Sequence, residues 1–268
     1  MQEDAPLDTL LLTGAAGVLG RVLRAPLGRA CRTLRLSDLA ALGAVAPHEQ
    51  DRPCDLADRA GMATLLQGVD AVAHFGGVAV ESPFERIAPA NIDGVFNLYE
   101  AARLAGTRRI VFASSNHTTG CYPQGEAIGP QSAPRPDGYY GVAKLFGENL
   151  ARLYWDRHGI ETVCLRIGTA TAEPPDRRAL STWLSFGDLE RLVLAALTAP
   201  QVGFLAVYGV SANPARWWSD AGWAQLGYAP QDSAEAWRDR VQDLAPSPDS
   251  AEARLQGGSF LGLGPWSP

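Results

Sequence analysis

The fold is decided by the stretch Thr9-Leu10-Leu11-Leu12-Thr13-Gly14-Ala15-Ala16-Gly17-Val18-Leu19-Gly20. Its first five residues have the pattern of a strand, and three glycines spaced G-x-x-G-x-x-G follow at the start of a helical pattern. Because glycine has no side chain, this turn lets backbone N–H groups come close to a pyrophosphate at the positive end of the helix. Such turns also occur without ligands, so the motif needs support from the rest of the chain.

Short apolar runs alternate with helical patterns beyond this turn. Strands are predicted at Thr9–Thr13, Thr33–Asp38, Ala71–Phe75, Ile110–Ser115 and Thr162–Ile167, with a weaker one at Gln50–Cys54. Helices are predicted at Gly17–Ala25, ended by Pro26, and at Ala57–Gln67, Pro89–Ala105 and Tyr139–His158. This alternation is typical of a parallel sheet with crossover helices. The predicted fold class is therefore α/β, a Rossmann-like doubly wound parallel sheet.

The chain changes character after residue 167. All seven tryptophans lie beyond residue 150, and no long polar linker precedes the change. We therefore predict a cofactor-binding domain at residues 1–167 and a small substrate-binding lobe at residues 168–268, packed on the sheet as one structural unit.

Composition excludes several classes of function. The net charge of −6 does not suit a nucleic-acid-binding surface, and no apolar stretch approaches the roughly 20 residues that cross a bilayer. The four cysteines form no C-x-x-C pair and show no metal-ligand spacing. We expect a cytoplasmic protein with free thiols and with no metal, membrane or nucleic-acid partner.

An acidic residue supports a dinucleotide site. Asp38 lies at the end of the second predicted strand, 18 positions beyond Gly20. Its carboxylate can accept hydrogen bonds from ribose hydroxyls and would repel a 2′-phosphate, which predicts NAD rather than NADP. Asp55 follows the third predicted strand, where the adenine would lie. Each of the two aspartates could instead be the N-cap of a following helix.

Tyr140 and Lys144 form the candidate catalytic pair. Of 23 basic residues, 22 are arginine and Lys144 is the single lysine. It lies one helical turn after Tyr140, on the same face. A tyrosine phenolate at neutral pH requires a pKa about three units below its usual value near 10, which a fixed neighbouring cation can largely supply. A compact ammonium suits this position better than a planar guanidinium.

The segment Ser114-Ser115-Asn116-His117 follows the strand residues Ile110–Ala113, at the carboxyl edge where open α/β sheets bind ligands. A serine hydroxyl there can donate a hydrogen bond to a substrate oxygen. The glycine turn, Asp38, this segment and the Tyr140/Lys144 pair occur in the chain order of one composite site.

Together these residues resemble the short-chain dehydrogenase/reductase superfamily, of the extended, NAD-dependent epimerase/dehydratase-like kind. More narrowly, the chain resembles the uronate dehydrogenases. The segments that carry this narrower resemblance are Asn97–Ala102, Phe112–Thr118, Arg135–Gly138, Tyr140-Gly141, Phe146–Asn149, Arg166–Gly168, Leu180–Trp183 and Gln256–Gly258.

The resemblance implies oxidation of the anomeric carbon of a uronic acid, such as glucuronate or galacturonate, to an aldarolactone with NAD. It gives Tyr140 the role of general base, Lys144 that of its ribose-binding partner, and Ser115 that of orienting the reacting oxygen. The substrate-binding positions it implies are Ala79, Ser115, Asn116, His117, Tyr140, Thr169 and Arg178, the last of which binds the carboxylate. The cofactor-binding positions it implies are Gly14, Gly17, Val18, Leu19, Gly20, Asp38, Asp55, Leu56, Phe75, Gly76, Gly77, Asn91, Tyr140, Lys144 and Ile167.

Two of these positions depart from the family pattern. Ala79 and Thr169 stand where the family commonly has serine, which leaves the reaction type unchanged but leaves the preferred uronate epimer open. A homo-oligomer is compatible with the resemblance, although no residue establishes one.

Two other functions remain as alternatives. A nucleotide-sugar epimerase or dehydratase shares the fold, NAD and the Tyr/Lys pair, but needs a larger C-terminal region to hold a nucleoside diphosphate. A regulator that senses NAD without turnover has no need of Tyr140, Lys144 and Ser115.

Overall fold

The computed structural model describes residues 7–264. Its strands are β1 (Leu7–Thr13), β2 (Cys31–Ser37), β3 (Glu49–Asp51), β4 (Ala71–His74), β5 (Arg109–Ser115), β6 (Glu161–Ile167), β7 (Thr169–Ala170), β8 (Trp183–Leu184) and β9 (Phe204–Gly209). Its α-helices are α1 (Val18–Arg29), α2 (Arg59–Leu65), α3 (Phe84–Ala88), α4 (Gly94–Ala105), α5 (Tyr139–His158), α6 (Ala179–Thr182), α7 (Phe186–Thr198), α8 (Trp223–Leu226), α9 (Arg238–Val241) and α10 (Ala251–Arg254). Short 3₁₀ segments lie at Asn116–Thr119, Ala234–Trp237 and Gly258–Gly262.

Seven strands form one parallel sheet in the order β3-β2-β1-β4-β5-β6-β9. Leu10 and Leu12 of β1 pack into the core on one face, and Leu11 between them packs into the core on the other. Both faces are therefore covered, as expected for a sheet with crossover helices. The strand order reverses between β1 and β4, which opens a crevice at their carboxyl ends. The predicted α/β fold is confirmed.

The five stronger strand predictions agree with the structure to within two residues at each end, and α5 has the predicted bounds. The weaker strand was predicted at Gln50–Cys54, whereas the structure places β3 at Glu49–Asp51. Pro53 has no N–H to donate to a ladder, which ends the strand before it.

Three helix boundaries were wrong. Helix α1 continues past Pro26 to Arg29, since a proline removes only its own N–H bond and later residues still donate. Helix α2 begins at Arg59, not Ala57. The helical run predicted to start at Pro89 begins at Phe84 and passes through Pro89 as a π-turn.

Strand β9 and helix α7, which come from the chain after residue 167, were not predicted from the sequence. Strand β9 pairs with β6, and α7 packs against the sheet through Leu189, Leu192 and Val193. Because β9 belongs to the main sheet, part of the chain after residue 167 joins the first unit, and the division at that residue stays a prediction. The predicted domain limits at residues 1 and 268 lie outside the described residues.

Within residues 7–264, no helix has the length and apolar character needed to cross a membrane. The same part of the chain contains no group of three or more His, Cys, Asp or Glu side chains arranged to hold a metal ion.

Candidate active site

A cavity of about 820 Å³ lies at the carboxyl edge of the sheet. With the exception of Asn91, every residue predicted for the site lines it. The cavity brings together Gly14, Gly17, Val18, Leu19, Gly20, Asp38, Asp55, Leu56, Phe75, Gly76, Gly77, Ala79, Ser115, Asn116, His117, Tyr140, Lys144, Ile167, Thr169 and Arg178.

The glycine turn at the start of α1 forms one end of the cavity. Gly14 has φ +71°, and a Cβ there would lie 2.5 Å from the carbonyl carbon of Phe75. A Cβ on Gly20 would lie 2.0 Å from the Gly14 carbonyl oxygen. Gly17 at the N-cap provides no side-chain cap, so the first N–H groups of α1 remain available to a ligand. This end suits a pyrophosphate.

Asp38 follows β2 and reaches the same end of the cavity. Its Oδ2 accepts a hydrogen bond from the Ala16 N–H at 3.0 Å, and its Oδ1 accepts one from the Ala40 N–H at 2.9 Å. Residues 39–48 form no helix, so the alternative that Asp38 is an N-cap was wrong. The two hydrogen bonds hold the carboxylate in place, and each oxygen can still accept a ribose hydroxyl.

Asp55 is also not an N-cap. Its Oδ1 accepts from the Ala57 N–H at 2.9 Å, whereas Asp58 caps α2 by accepting from the N–H groups of Ala60 and Gly61. Asp55 lines the cavity, and its place at the adenine end of the cofactor stays a prediction.

Asn91 supports the cavity wall from outside. Its Oδ1 accepts from the Val78 N–H at 2.8 Å, and its Nδ2 donates to the Val78 carbonyl at 2.9 Å. These bonds fix the loop that includes Gly76 and Gly77. The structure therefore places Asn91 behind the predicted cofactor residues and not among the lining residues.

Helix α5 carries the candidate catalytic pair. Glu81 holds the start of this helix, because its two carboxylate oxygens accept the N–H groups of Tyr139 at 3.0 Å and Tyr140 at 2.8 Å. The Lys144 Nζ lies 5.4 Å from the centre of the Tyr140 ring and 5.2 Å from that of Phe112. Ser115, at the end of β5, hydrogen-bonds the Tyr140 phenol. The structure brings Tyr140, Lys144 and Ser115 together in one cavity, and their catalytic roles stay a prediction.

Burial has the largest effect on the pKa values of Tyr140 and Lys144. It raises the pKa of the Tyr140 phenol to about 12, although the hydrogen bond from Ser115 acts in the opposite direction. Burial also lowers the pKa of the Lys144 ammonium to about 8. Burial therefore sets the direction of the phenol pKa among the protein's own groups, and the lowering of this pKa by Lys144 stays a prediction.

Arg178 is held at the opposite end of the cavity. Its Nε donates to the Gln256 carbonyl at 2.7 Å and its Nη1 donates to the Thr169 hydroxyl at 3.0 Å. The Asn116 side-chain oxygen, in the orientation that satisfies its hydrogen bonds, accepts from Nη2 at 3.0 Å, and the Asn116 nitrogen donates to the Ile167 carbonyl.

Arg178 makes no salt bridge within residues 7–264, so its charge is not paired with a carboxylate. Burial lowers the pKa of this guanidinium to about 10, against the opposing charges of Asp176 and Asp137. A half-buried cation without an ion pair, held by neutral groups, is suited to bind an anionic ligand.

Thr169 takes part in this arrangement. Its hydroxyl lies 2.9 Å from the Thr182 hydroxyl and accepts from Arg178. The threonine thus orients the guanidinium through the same oxygen that a serine would provide. Ala79 lines the cavity without a polar side chain.

Two groups that the sequence analysis did not predict complete the site. Asp137 hydrogen-bonds the Nδ1 of His117 at 2.7 Å. Phe260 stacks on the His117 ring with centres 3.7 Å apart and meets Tyr140 edge-on at 5.8 Å. Asp137 lay in the noted segment Arg135–Gly138, but no sequence signal distinguished Phe260.

The chain was compared with known proteins. Residues 10–201 match the family described as the NAD dependent epimerase/dehydratase family. Over 264 residues the chain is 52% identical to a uronate dehydrogenase of Pseudomonas syringae pv. tomato, which corresponds to 97% of this chain and 96% of that protein. It is 50% identical over 257 residues to a uronate dehydrogenase of Agrobacterium fabrum, covering 95% of this chain and 97% of the relative.

Solved structures of uronate dehydrogenases are similar to this chain in fold and in sequence. The crystal structure of uronate dehydrogenase from Agrobacterium tumefaciens superposes with a TM-score of 0.92 at 49% identity, covering 96% of this chain and 97% of that chain. A tyrosine-to-alanine mutant of that enzyme, complexed with NAD, gives a TM-score of 0.93 at 48% identity, with 97% and 99% covered.

Proposed function

Because this chain belongs to the NAD dependent epimerase/dehydratase family, in the group of the uronate dehydrogenases, we propose that it oxidises a uronic acid with NAD as the acceptor. The reaction converts the anomeric C1–OH of D-glucuronate or D-galacturonate in its ring form to the aldarolactone. The observation that carries this proposal is Arg178, a half-buried guanidinium without an ion pair in the described chain, in the same cavity as the Tyr140/Lys144/Ser115 group.

The residues around the glycine turn fit NAD. The uncapped start of α1 can hold the pyrophosphate, and the fixed carboxylate of Asp38 can accept the adenosine ribose hydroxyls. Lys144, which is buried and has no ion pair within the described chain, can donate to the hydroxyls of the nicotinamide ribose. Asp38 would repel the 2′-phosphate of NADP.

Tyr140 acts as the general base. Its phenolate takes the proton of the C1 hydroxyl, while the Ser115 hydroxyl hydrogen-bonds the same oxygen and aligns it. When bound, NAD accepts the hydride that leaves C1 and brings a positively charged ring to the site. The proton taken by Tyr140 and the transferred hydride together account for the conversion of the C1–OH to the lactone carbonyl.

Arg178 binds the substrate carboxylate. A guanidinium can grip a carboxylate with two parallel hydrogen bonds, and the neutral partners of Arg178 leave its charge available. Asn116 and His117 line the cavity between Arg178 and Tyr140 and contact the sugar hydroxyls.

Initial rates of NADH formation test the proposed function. Purified protein should reduce NAD with glucuronate or galacturonate much faster than it reduces NADP, and neutral glucose should be a poor substrate because it has no carboxylate for Arg178. No NADH with any uronate at pH 8 would rule out the assignment. Turnover of a nucleotide-linked sugar in the same assay would favour an epimerase or dehydratase instead.

Lys144→Arg is expected to lower kcat/KM for a uronate between about ten- and hundredfold, although it conserves the charge. The planar guanidinium is too wide for the space between the Tyr140 and Phe112 rings, where the ammonium lies 5.4 Å and 5.2 Å from the ring centres. Steady-state kinetics measure this, with Arg157→Lys on the exposed end of α5 as control. Turnover near that of the unchanged protein would contradict the assigned role of the lysine.

We further propose that the enzyme works in the cytoplasm. The four cysteines Cys31, Cys54, Cys121 and Cys164 are free, which fits a reducing compartment.

A further inference from the structure

A buried carboxylate lies behind the substrate side of the cavity. The Asp137 side chain is 1% exposed, and its Oδ2 accepts a hydrogen bond from Nδ1 of His117 at 2.7 Å. Its other oxygen, Oδ1, is buried and has no hydrogen-bond partner in the described chain. A carboxylate can only accept hydrogen bonds, so in this pair the His117 Nδ1 carries the proton.

The surroundings are shaped for this carboxylate. A Cβ on Gly120 would lie 1.8 Å from the Asp137 Oδ2, and a Cβ on Gly257 would lie 1.9 Å from it. Neither glycine has a positive φ, so backbone conformation does not require glycine at these positions. Glycine is required because a Cβ would occupy the space of the Asp137 carboxylate. Two separate segments of the chain thus leave room for one oxygen atom.

The His117 ring is fixed in orientation. Phe260 stacks on one face at 3.7 Å with an interplanar angle of 11°, and Tyr140 meets it edge-on at 5.8 Å. Stacking fixes the plane of the ring, and the bond to Asp137 fixes its rotation within that plane. The Nε2 atom has no hydrogen-bond partner in residues 7–264, and the residue lines the cavity.

A second charged group, Arg178, lies near the Asp137 carboxylate. The opposite charges of Arg178 and Asp137 act on each other. A neutral ring with its proton on Nδ1 has a lone pair on Nε2.

We propose that Asp137 is a positioning residue that fixes the tautomer of His117, so that Nε2 accepts a hydrogen bond from a hydroxyl of the sugar acid. This proposal rests on the proposed function for the identity of the ligand. Asp137 does not touch the substrate and acts on it through His117. The site thereby requires a hydroxyl donor at this position and rejects a sugar acid that lacks it.

The tautomer is tested without turnover. In ¹⁵N-labelled protein, the nitrogen signals of His117, assigned by comparison with His117→Gln, should show a protonated Nδ1 and an unprotonated Nε2 at neutral pH. In Asp137→Asn the populations should shift toward protonated Nε2, because the amide can donate to Nδ1. A protonated Nε2 in the unchanged protein would overturn the proposal, whether or not the protein oxidises uronates.

Kinetics test the consequence for the substrate. Asp137→Asn should raise the KM for the uronate about tenfold, as expected for the loss of one hydrogen bond made in both ground and transition states, and should change kcat and the KM for NAD less than twofold. In the His117→Gln background the same substitution should have less than a twofold effect. Asp239→Asn, at an exposed position, is the matched control.

The assignment would be refuted if Asp137→Asn lowered kcat and left the uronate KM unchanged. It would also be refuted if Asp137→Asn raised the uronate KM as much in the His117→Gln background as in the unchanged protein. If Asp137→Asn does not fold, Gly257→Ala replaces it, because the added methyl displaces the carboxylate without removing its charge. The same rise in the uronate KM is then expected, and an unchanged KM with a displaced carboxylate overturns the proposal.

Discussion

Replacement of Tyr140 by phenylalanine is expected to lower kcat for uronate oxidation by about 10³-fold, within the range that general acid–base catalysis contributes. The variant loses only the oxygen that takes the C1 proton. Tyr140 is 8% exposed, and the main contacts of its ring are with His117 and Phe260, both of which phenylalanine can keep. Initial rates with saturating NAD and uronate measure the loss.

The pH profile adds a second test of Tyr140. Burial raises the pKa of the phenol to about 12, and the phenolate is the reactive form, so kcat/KM of the unchanged enzyme should rise with pH through the neutral and mildly alkaline range. The residual rate of Tyr140→Phe should lack this rise.

Tyr139→Phe is the matched control, since Tyr139 is the neighbouring residue and 48% exposed. A Tyr140→Phe variant with a tenth or more of normal kcat would show that another group removes the proton.

Replacement of Arg178 by methionine is expected to lower kcat/KM for a uronate by about 10²–10³-fold. Truncation of one partner of a buried charged hydrogen-bonded pair costs about 2–5 kcal/mol, and roughly 1.4 kcal/mol corresponds to a factor of ten. The effect should fall mainly on the uronate KM, because the carboxylate is bound alike in the ground and transition states. The low activity with neutral glucose should change little.

Arg177→Met is the control for this variant, because Arg177 is adjacent and exposed. Arg178 also donates to the Gln256 carbonyl and to Thr169, so the methionine variant leaves buried acceptors unpaired and can lose stability. Thermal unfolding of both variants separates a folding defect from a binding defect, and Arg178→Lys keeps the charge. A folded Arg178→Met variant with an unchanged uronate KM would place the carboxylate elsewhere.

Local patterns were sufficient for the cofactor end of the site. The glycine turn and the Tyr140/Lys144 pair each depend on residues close together in sequence, where backbone geometry fixes the distances. Asp38 follows β2, which pairs directly with β1 beside the turn. The end of the first helix was harder to predict, because Pro26 removes a single hydrogen bond and burial of the last turn outweighs that loss.

Contacts between distant segments could not be predicted. Phe260 packs on His117 only because residues 256–262 return to the carboxyl edge of the sheet, where the Gly257 N–H donates to the Gly120 carbonyl. The same segment also holds Arg178, because the Gln256 carbonyl accepts a hydrogen bond from the Arg178 Nε. No periodicity or residue spacing in the sequence indicates that these distant segments are in contact.

The amino-acid sequence by itself determined the alternation of strands and helices, the dinucleotide turn, and the Tyr140/Lys144 pair one helical turn apart. These are set by local hydrogen bonding and by the period of apolar residues. Only the tertiary structure decided the charge environment. Burial raises the pKa of Tyr140 and lowers that of Lys144, and the space left by Gly120 and Gly257 admits the carboxylate of Asp137. Desolvation and close contact depend on which segments pack together, a property that no single stretch of the chain contains.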